Sequence, residues 1–144
     1  MASDFTNELH KNERVIAENE LAFALLTYIP ITPGHTLICP KREVATFAEL
    51  SDEELLAISE LTKQVMIALE KTFGAKGFNC AWNQGAKFGQ SIPHFHLHIV
   101  PRTDGDTGIT NYEPREFLYR PGGREITAND KLAPVARQIR SNLI

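Results

Sequence analysis

The sequence predicts an α+β fold: an antiparallel sheet with its helices packed on one side. Three observations predict it. Short apolar stretches of strand-like composition stand on both sides of one long stretch with helical periodicity. The connections between the early stretches are too short for crossovers, so those strands run antiparallel. A second helical stretch closes the chain.

The elements follow in order. Residues 1–11 are polar and read as irregular. Arg14 to Glu18 reads as a short strand, with a turn at Asn19-Glu20. Leu21 to Tyr28 is an apolar run long enough for one strand, and Pro30 and Pro33-Gly34 break it. His35 to Cys39 makes the next strand, closed by Pro40. Ser51-Asp-Glu-Glu54 has the form of a capping box, with Ser51 as N-cap. Leu55, Ile58, Leu61, Val65, Ala68 and Leu69 follow at helical spacing until Phe73-Gly74 ends the helix. Its acidic first turn suits the helix dipole. Met66 belongs with this core stripe. Gly77 to Asn83 returns to strand alternation, and a Gly-rich loop spans 84–93. That loop lacks the Gly-x-x-x-x-Gly-Lys-Ser/Thr pattern of a P-loop, yet its glycines let backbone N–H groups approach an anion. A strand starting at His94 follows. Residues 103–126 are turn-rich. Lys131 to Leu143 reads as helix, with Asp130 as N-cap and Pro134 bending it or delaying its start.

Composition narrows the function. The 144 residues suffice for one domain with a real core. A net charge of −3 argues against a protein built to grip nucleic-acid backbone. Cys39 and Cys80 lie in apolar strands and read as buried free thiols, with no Cys-x-x-Cys zinc pair near the N-terminus. With no long apolar run or signal peptide, the expected location is the cytoplasm, away from any membrane.

The chemistry concentrates in Gly89-Gln-Ser-Ile-Pro-His94-Phe-His96-Leu-His98-Ile-Val-Pro-Arg102, which holds three of the five histidines. Alternate strand residues share a face, so His94, His96 and His98 form a row opposite Phe95, Leu97 and Ile99. Three readings compete: a chance cluster on a solvated face, a metal site, and nucleophilic catalysis. Alternate strand residues lie about 6.6 Å apart and the outer pair about 13 Å, against a metal–imidazole bond of about 2.0–2.1 Å, so all three cannot share one ion. An unprotonated imidazole is a competent nucleophile near neutral pH.

His94-Phe-His96-Leu-His98-Ile-Val100 resembles the signature of the histidine triad family of nucleotide hydrolases and transferases, most closely its fragile-histidine-triad branch and related bacterial proteins. Gly89-Gln90-Ser91, Asn83 and Pro33-Gly34-His35 fit the same pattern, and the match covers about residues 12–102. The resemblance implies a five-stranded antiparallel sheet and a homodimer whose sheets join across the interface. The single domain then spans 1–144, with 103–144 as a C-terminal extension. The resemblance also implies that His96 attacks phosphorus to form a nucleotidyl-histidine that water resolves. His98 would stabilise phosphate oxygens or the leaving group, and His94 would sit behind, hydrogen-bonded with His35. His35 also reads as an ordinary turn residue after Pro33-Gly34. Asn83, Gln90 and Ser91 supply donors for the phosphoryl group, or are plain polar loop residues. Arg102 is a phosphate contact or a solvated charge. Where the family has an acidic residue or asparagine for the ribose hydroxyls, this chain has Thr27. Implied substrates are dinucleoside polyphosphates, nucleoside phosphoramidates or adenylated compounds. No cofactor is expected to bind tightly, though Mg²⁺ can accompany a polyphosphate. A non-catalytic nucleotide-binding module and a histidine-ligated metalloprotein are the alternatives. Tyr112 to Arg124, with three arginines and two tyrosines, either shapes the substrate end of the pocket or wraps the surface.

Overall fold

A computed structural model describes residues 2–108 and 125–143. The Tyr112–Arg124 segment lies outside the described residues. Strands β1 (Val15–Glu18), β2 (Ala22–Leu26), β3 (Thr36–Pro40), β4 (Gly77–Ala81) and β5 (Leu97–Arg102) form one sheet in the order β1-β2-β3-β5-β4. Every neighbouring pair is antiparallel. Helices α1 (Asp4–Lys11), α2 (Asp52–Phe73) and α3 (Asn129–Ser141) complete the α+β architecture among the described residues. None of these helices is long and apolar enough to cross a membrane.

Helix α2 starts as its sequence dictates. Ser51 Oγ accepts the Glu54 N–H at 3.1 Å, and the Glu54 carboxylate accepts the Ser51 N–H at 2.8 Å. It ends at Gly74, whose φ of 67° is left-handed and whose N–H reaches Glu70 O. Its buried stripe packs on β1, β2, β3 and β5 together with Ala22, Ala24, Leu26, Ile38 and Ile99. The Pro33-Gly34 turn abuts this helix. A Cβ on Gly34 would lie 2.6 Å from the Phe73 ring, and its φ of 90° excludes most side chains as well.

Three expectations need correction. Residues 1–11 are not irregular. Ser3 caps α1 by accepting the Thr6 N–H, Asn12 closes it at φ 59°, and Phe5 and Glu8 are buried. So short a helix is stable through its packing on the sheet, which local propensity does not report. Cys80 is exposed, unlike buried Cys39. It stands on β4 opposite Ile99, at the edge of the sheet, where no strand among the described residues covers its outer side. Helix α3 begins at Asn129 with Ala128, not Asp130, in the N-cap position and no side-chain cap. Pro134 lies inside it and does not delay its start. Leu132, Ala136 and Ile139 bury into the same core as α2, so packing holds the helix across the missing N–H.

Candidate active site

The second face of the sheet carries the histidines. Strand register places Val15, Leu25, Leu37 and His98 opposite one another on β1, β2, β3 and β5. Helix α1 covers this face through Phe5 and Leu9, so the helices lie on both sides of the sheet and not on one side as the sequence suggested. A cleft of about 320 Å³ remains between α1, the sheet and the Gly-rich loop. His96, His98, Ser91, Thr27, Phe5 and Arg14 are among its lining residues.

The histidine row is not one continuous strand. Strand β5 starts at Leu97, while Pro93 and His94 bend, with the His94 N–H bonded to Ile92 O at 2.8 Å. His96 and His98 still stand side by side, ring centroids 5.1 Å apart. The bend takes His94 into a different environment. Its Nε2 lies 2.6 Å from Pro40 O and its Nδ1 2.7 Å from Ser3 Oγ. The carbonyl can only accept, so Nε2 carries the proton and the Ser3 hydroxyl donates to Nδ1. The expected contact between His94 and His35 is therefore absent. His35 pairs instead with His98, Nε2 to Nδ1 at 2.9 Å, because antiparallel pairing of β3 with β5 brings those two together.

Two fixed backbone groups set the tautomers of the catalytic candidates. His96 Nδ1 donates to His94 O at 2.8 Å, which leaves Nε2 with its lone pair. The Ile31 N–H donates to His35 Nδ1 at 3.0 Å. His35 then carries its proton on Nε2 and gives it to His98 Nδ1. Neutral His98 therefore carries its own proton on Nε2. The cleft thus has an imidazole base beside an imidazole donor. Burial is the largest cause that lowers the His96 pKa to about 4, and burial also lowers that of His94. Phe5 contributes to that burial, its ring edge-on to His96 at 4.9 Å.

The other expected residues divide. Ser91 and Thr27 line the cleft, with Thr27 Oγ1 accepting the Ile29 N–H at 3.3 Å. Gln90 is buried, and its amide accepts from Gly85 N–H and donates to Ala45 O. Asn83 donates to Gly89 O at 3.3 Å, and a Cβ on Gly89 would lie 2.9 Å from its side chain. These two amides brace the loop and are not among the lining residues. Arg102 is paired with Asp106, Nη2 to Oδ1 at 2.5 Å, and does not line the cleft. Among the described residues no group of three histidine, cysteine, aspartate or glutamate side chains has the geometry to hold a metal ion. Phe5, Arg14 and Leu37 line the cleft without having been singled out in the sequence. Phe5 had one signal: it is the first apolar residue after Ser3, a good N-cap type.

Comparison with known proteins agrees with this arrangement. The HIT domain model matches residues 8–105. An uncharacterized 16.1 kDa HIT-like protein of Mycoplasma pneumoniae is 37% identical over 117 residues, covering 81% of this chain and 78% of its own. A bis(5′-adenosyl)-triphosphatase of Dictyostelium discoideum is 34% identical over 111 residues, 77% of this chain and 71% of its own. The crystal structure of a HIT-like protein from Bartonella henselae superposes with a TM-score of 0.76 at 26% identity, covering 96% of this chain and 95% of that one.

Proposed function

The chain belongs to the HIT domain family, and from that premise we propose that it is a nucleotide hydrolase or nucleotidyl transferase working through His96. One observation carries the reading. The His94 carbonyl holds the His96 proton on Nδ1, and burial keeps the ring neutral near pH 7, so Nε2 is an unprotonated nucleophile at the cleft.

In the first step His96 Nε2 bonds to phosphorus and the bond from phosphorus to the leaving oxygen breaks. The leaving oxygen departs as a phosphate anion, and the His98 Nε2–H hydrogen-bonds to it and stabilises its charge without giving up the proton. In the second step water attacks the nucleotidyl-histidine, the N–P bond breaks with its electron pair returning to His96 Nε2, and the water's proton passes to solvent. An alcohol or phosphate in place of water makes the reaction a transfer. His35 holds His98 in the donor tautomer throughout, because the Ile31 N–H cannot reverse its role. Ser91 and the backbone at Gly89 stand at the same cleft as donors for the phosphoryl oxygens.

The substrates that suit this chemistry are dinucleoside polyphosphates, supported by the similarity to a bis(5′-adenosyl)-triphosphatase. Nucleoside phosphoramidates and adenylated compounds present the same phosphorus. Mg²⁺ enters with a polyphosphate. Thr27 is the residue offered to the ribose. A homodimer fits the exposed edge strand β4, beside which Phe47 and Trp82 stack at 5.0 Å. The cytoplasm suits two free cysteines, one of them exposed.

The test is acid quench of the protein mixed with diadenosine triphosphate, followed by intact-mass measurement. The expected result is a transient adduct of one nucleotidyl group, labile to acid on longer exposure and absent in His96→Asn. Binding without turnover or adduct would instead make the chain a nucleotide-binding module.

A further inference from the structure

Arg14 is a buried lining residue whose polar atoms the catalytic account leaves unused, and its surroundings are specific. Its side chain is only 1% exposed. Nη1 donates to Leu26 O at 2.6 Å, and Cζ lies 3.6 Å over the Tyr28 ring. Nε stands 3.3 Å from Glu8 Oε2, outside hydrogen-bond geometry, and Nη2 has no partner among the described residues. Glu8 is held in turn by the Tyr28 hydroxyl, which donates to Oε1 at 3.0 Å. A buried cationic donor left unmatched is costly, so an acceptor delivered by a ligand would be favoured there.

We infer that Arg14 reads the base of the bound nucleotide and selects a 6-oxopurine, of which guanine is the common case. The inference rests on the cleft being a nucleotide site. Glu8 already balances the Arg14 charge, and a phosphate placed there would meet the Glu8 carboxylate. A neutral acceptor meets no such repulsion. Position points the same way. Val15, next to Arg14, is three strand steps from His98 through Leu25 and Leu37, about 14 Å at the usual strand spacing. With phosphorus at His96, covalent order puts ribose in the middle and base at the Arg14 end, between Phe5 and Leu37. A guanidinium only donates. Guanine offers O6 as an acceptor to Nη2, the one nitrogen unpartnered among the described residues, while adenine places an amino donor where O6 would be.

The experiment measures binding of GMP, IMP and AMP by titration calorimetry to the full chain, to R14M and to the double variant E8Q/R14M. The double variant is included because R14M alone strands a buried Glu8 carboxylate. The wild type is expected to bind GMP and IMP about tenfold more tightly than AMP. R14M, or E8Q/R14M where the single variant fails to fold, is expected to bind all three alike. Equal binding by the wild type, as when a trapped water satisfies Arg14, overturns the inference and leaves the nucleotide reading standing. So does a preference that survives in E8Q/R14M, or one for GMP over both IMP and AMP, which would mean that the 2-amino group is read. Failure of all three nucleotides to bind removes both readings.

Discussion

The two faces of the sheet are made from the same strands, yet they bury different chemistry. The face under α2 and α3 is mainly apolar, with Ala24, Leu26, Ile38 and Ile99 against Leu61, Val65 and Ile139 and Thr36 as a buried hydroxyl among them. The face under α1 mixes Leu25 and Leu37 with His94, His96, His98 and the Glu8–Arg14 pair. A 22-residue helix covers the first and an 8-residue helix the second. The difference assigns stability to one face and, on the proposed mechanism, reactivity to the other. Burial without charge stabilises in proportion to area. Burial of imidazoles costs stability on protonation, and that same cost keeps His96 neutral, as the proposed nucleophile must be.

The sharpest way to break this contrast is to damage each face in turn. His96→Asn should lower turnover by about four orders of magnitude or more. Its thermal midpoint should stay near that of the wild type, since no apolar packing is lost under α2. A comparable loss of stability would mean that the histidine face also holds the fold together. Leu61→Ala on the opposite face should do the reverse. The side chain is fully buried, and its truncation should cost about 2–5 kcal/mol in urea unfolding. The fraction still folded should turn over substrate at the wild-type rate, and a reduced kcat at full folding would show the faces to be coupled.

The smallest effect is the most diagnostic. Phe5→Ala admits water to His96 and should move its pKa from about 4 back toward the ordinary 6.5. Activity needs the neutral ring, so the acid limb of kcat/KM should shift to higher pH while the rate at pH 8 changes little. Stability follows the same sign. A folded-state pKa below the unfolded value makes the unfolded chain bind more protons between about pH 6.5 and 4. The His96 contribution is therefore complete above about 6.5 and is lost as pH falls through about 4, roughly 3 kcal/mol in all. Phe5→Ala should flatten that dependence in unfolding curves taken across the window. An unmoved acid limb would show that Phe5 does not supply the desolvation.

Where local patterns were strong, they carried through to the structure. The Ser51/Glu54 box, the stripe from Ile58 to Leu69 and the left-handed Gly74 act within a few residues of one another, and each stands where the sequence puts it. The motif from His94 to Val100 identified the family and supplied two residues that line the cleft, but its strand begins only at Leu97. Pro93 and the bend at His94 break a regularity that alternation alone suggested. Gln90 and Asn83 were chosen for their chemistry, and the loop uses that chemistry to brace itself.

By itself the sequence determined the five strands, the long helix, the α+β class and the grouping of histidines, because each depends on periodicity and on residues close along the chain. Only the tertiary structure decided which nitrogen of each imidazole carries the proton. That choice passes from Ile31 through His35 to His98, across 63 residues between the two rings, and no local preference encodes it. It also decided that residues 4–11 are a helix, since Phe5 gains its stability from a sheet face assembled elsewhere. The burial of Arg14 against Glu8 and Tyr28 belongs to the same class. A charged residue at the start of a strand reads as solvated until the fold closes over it.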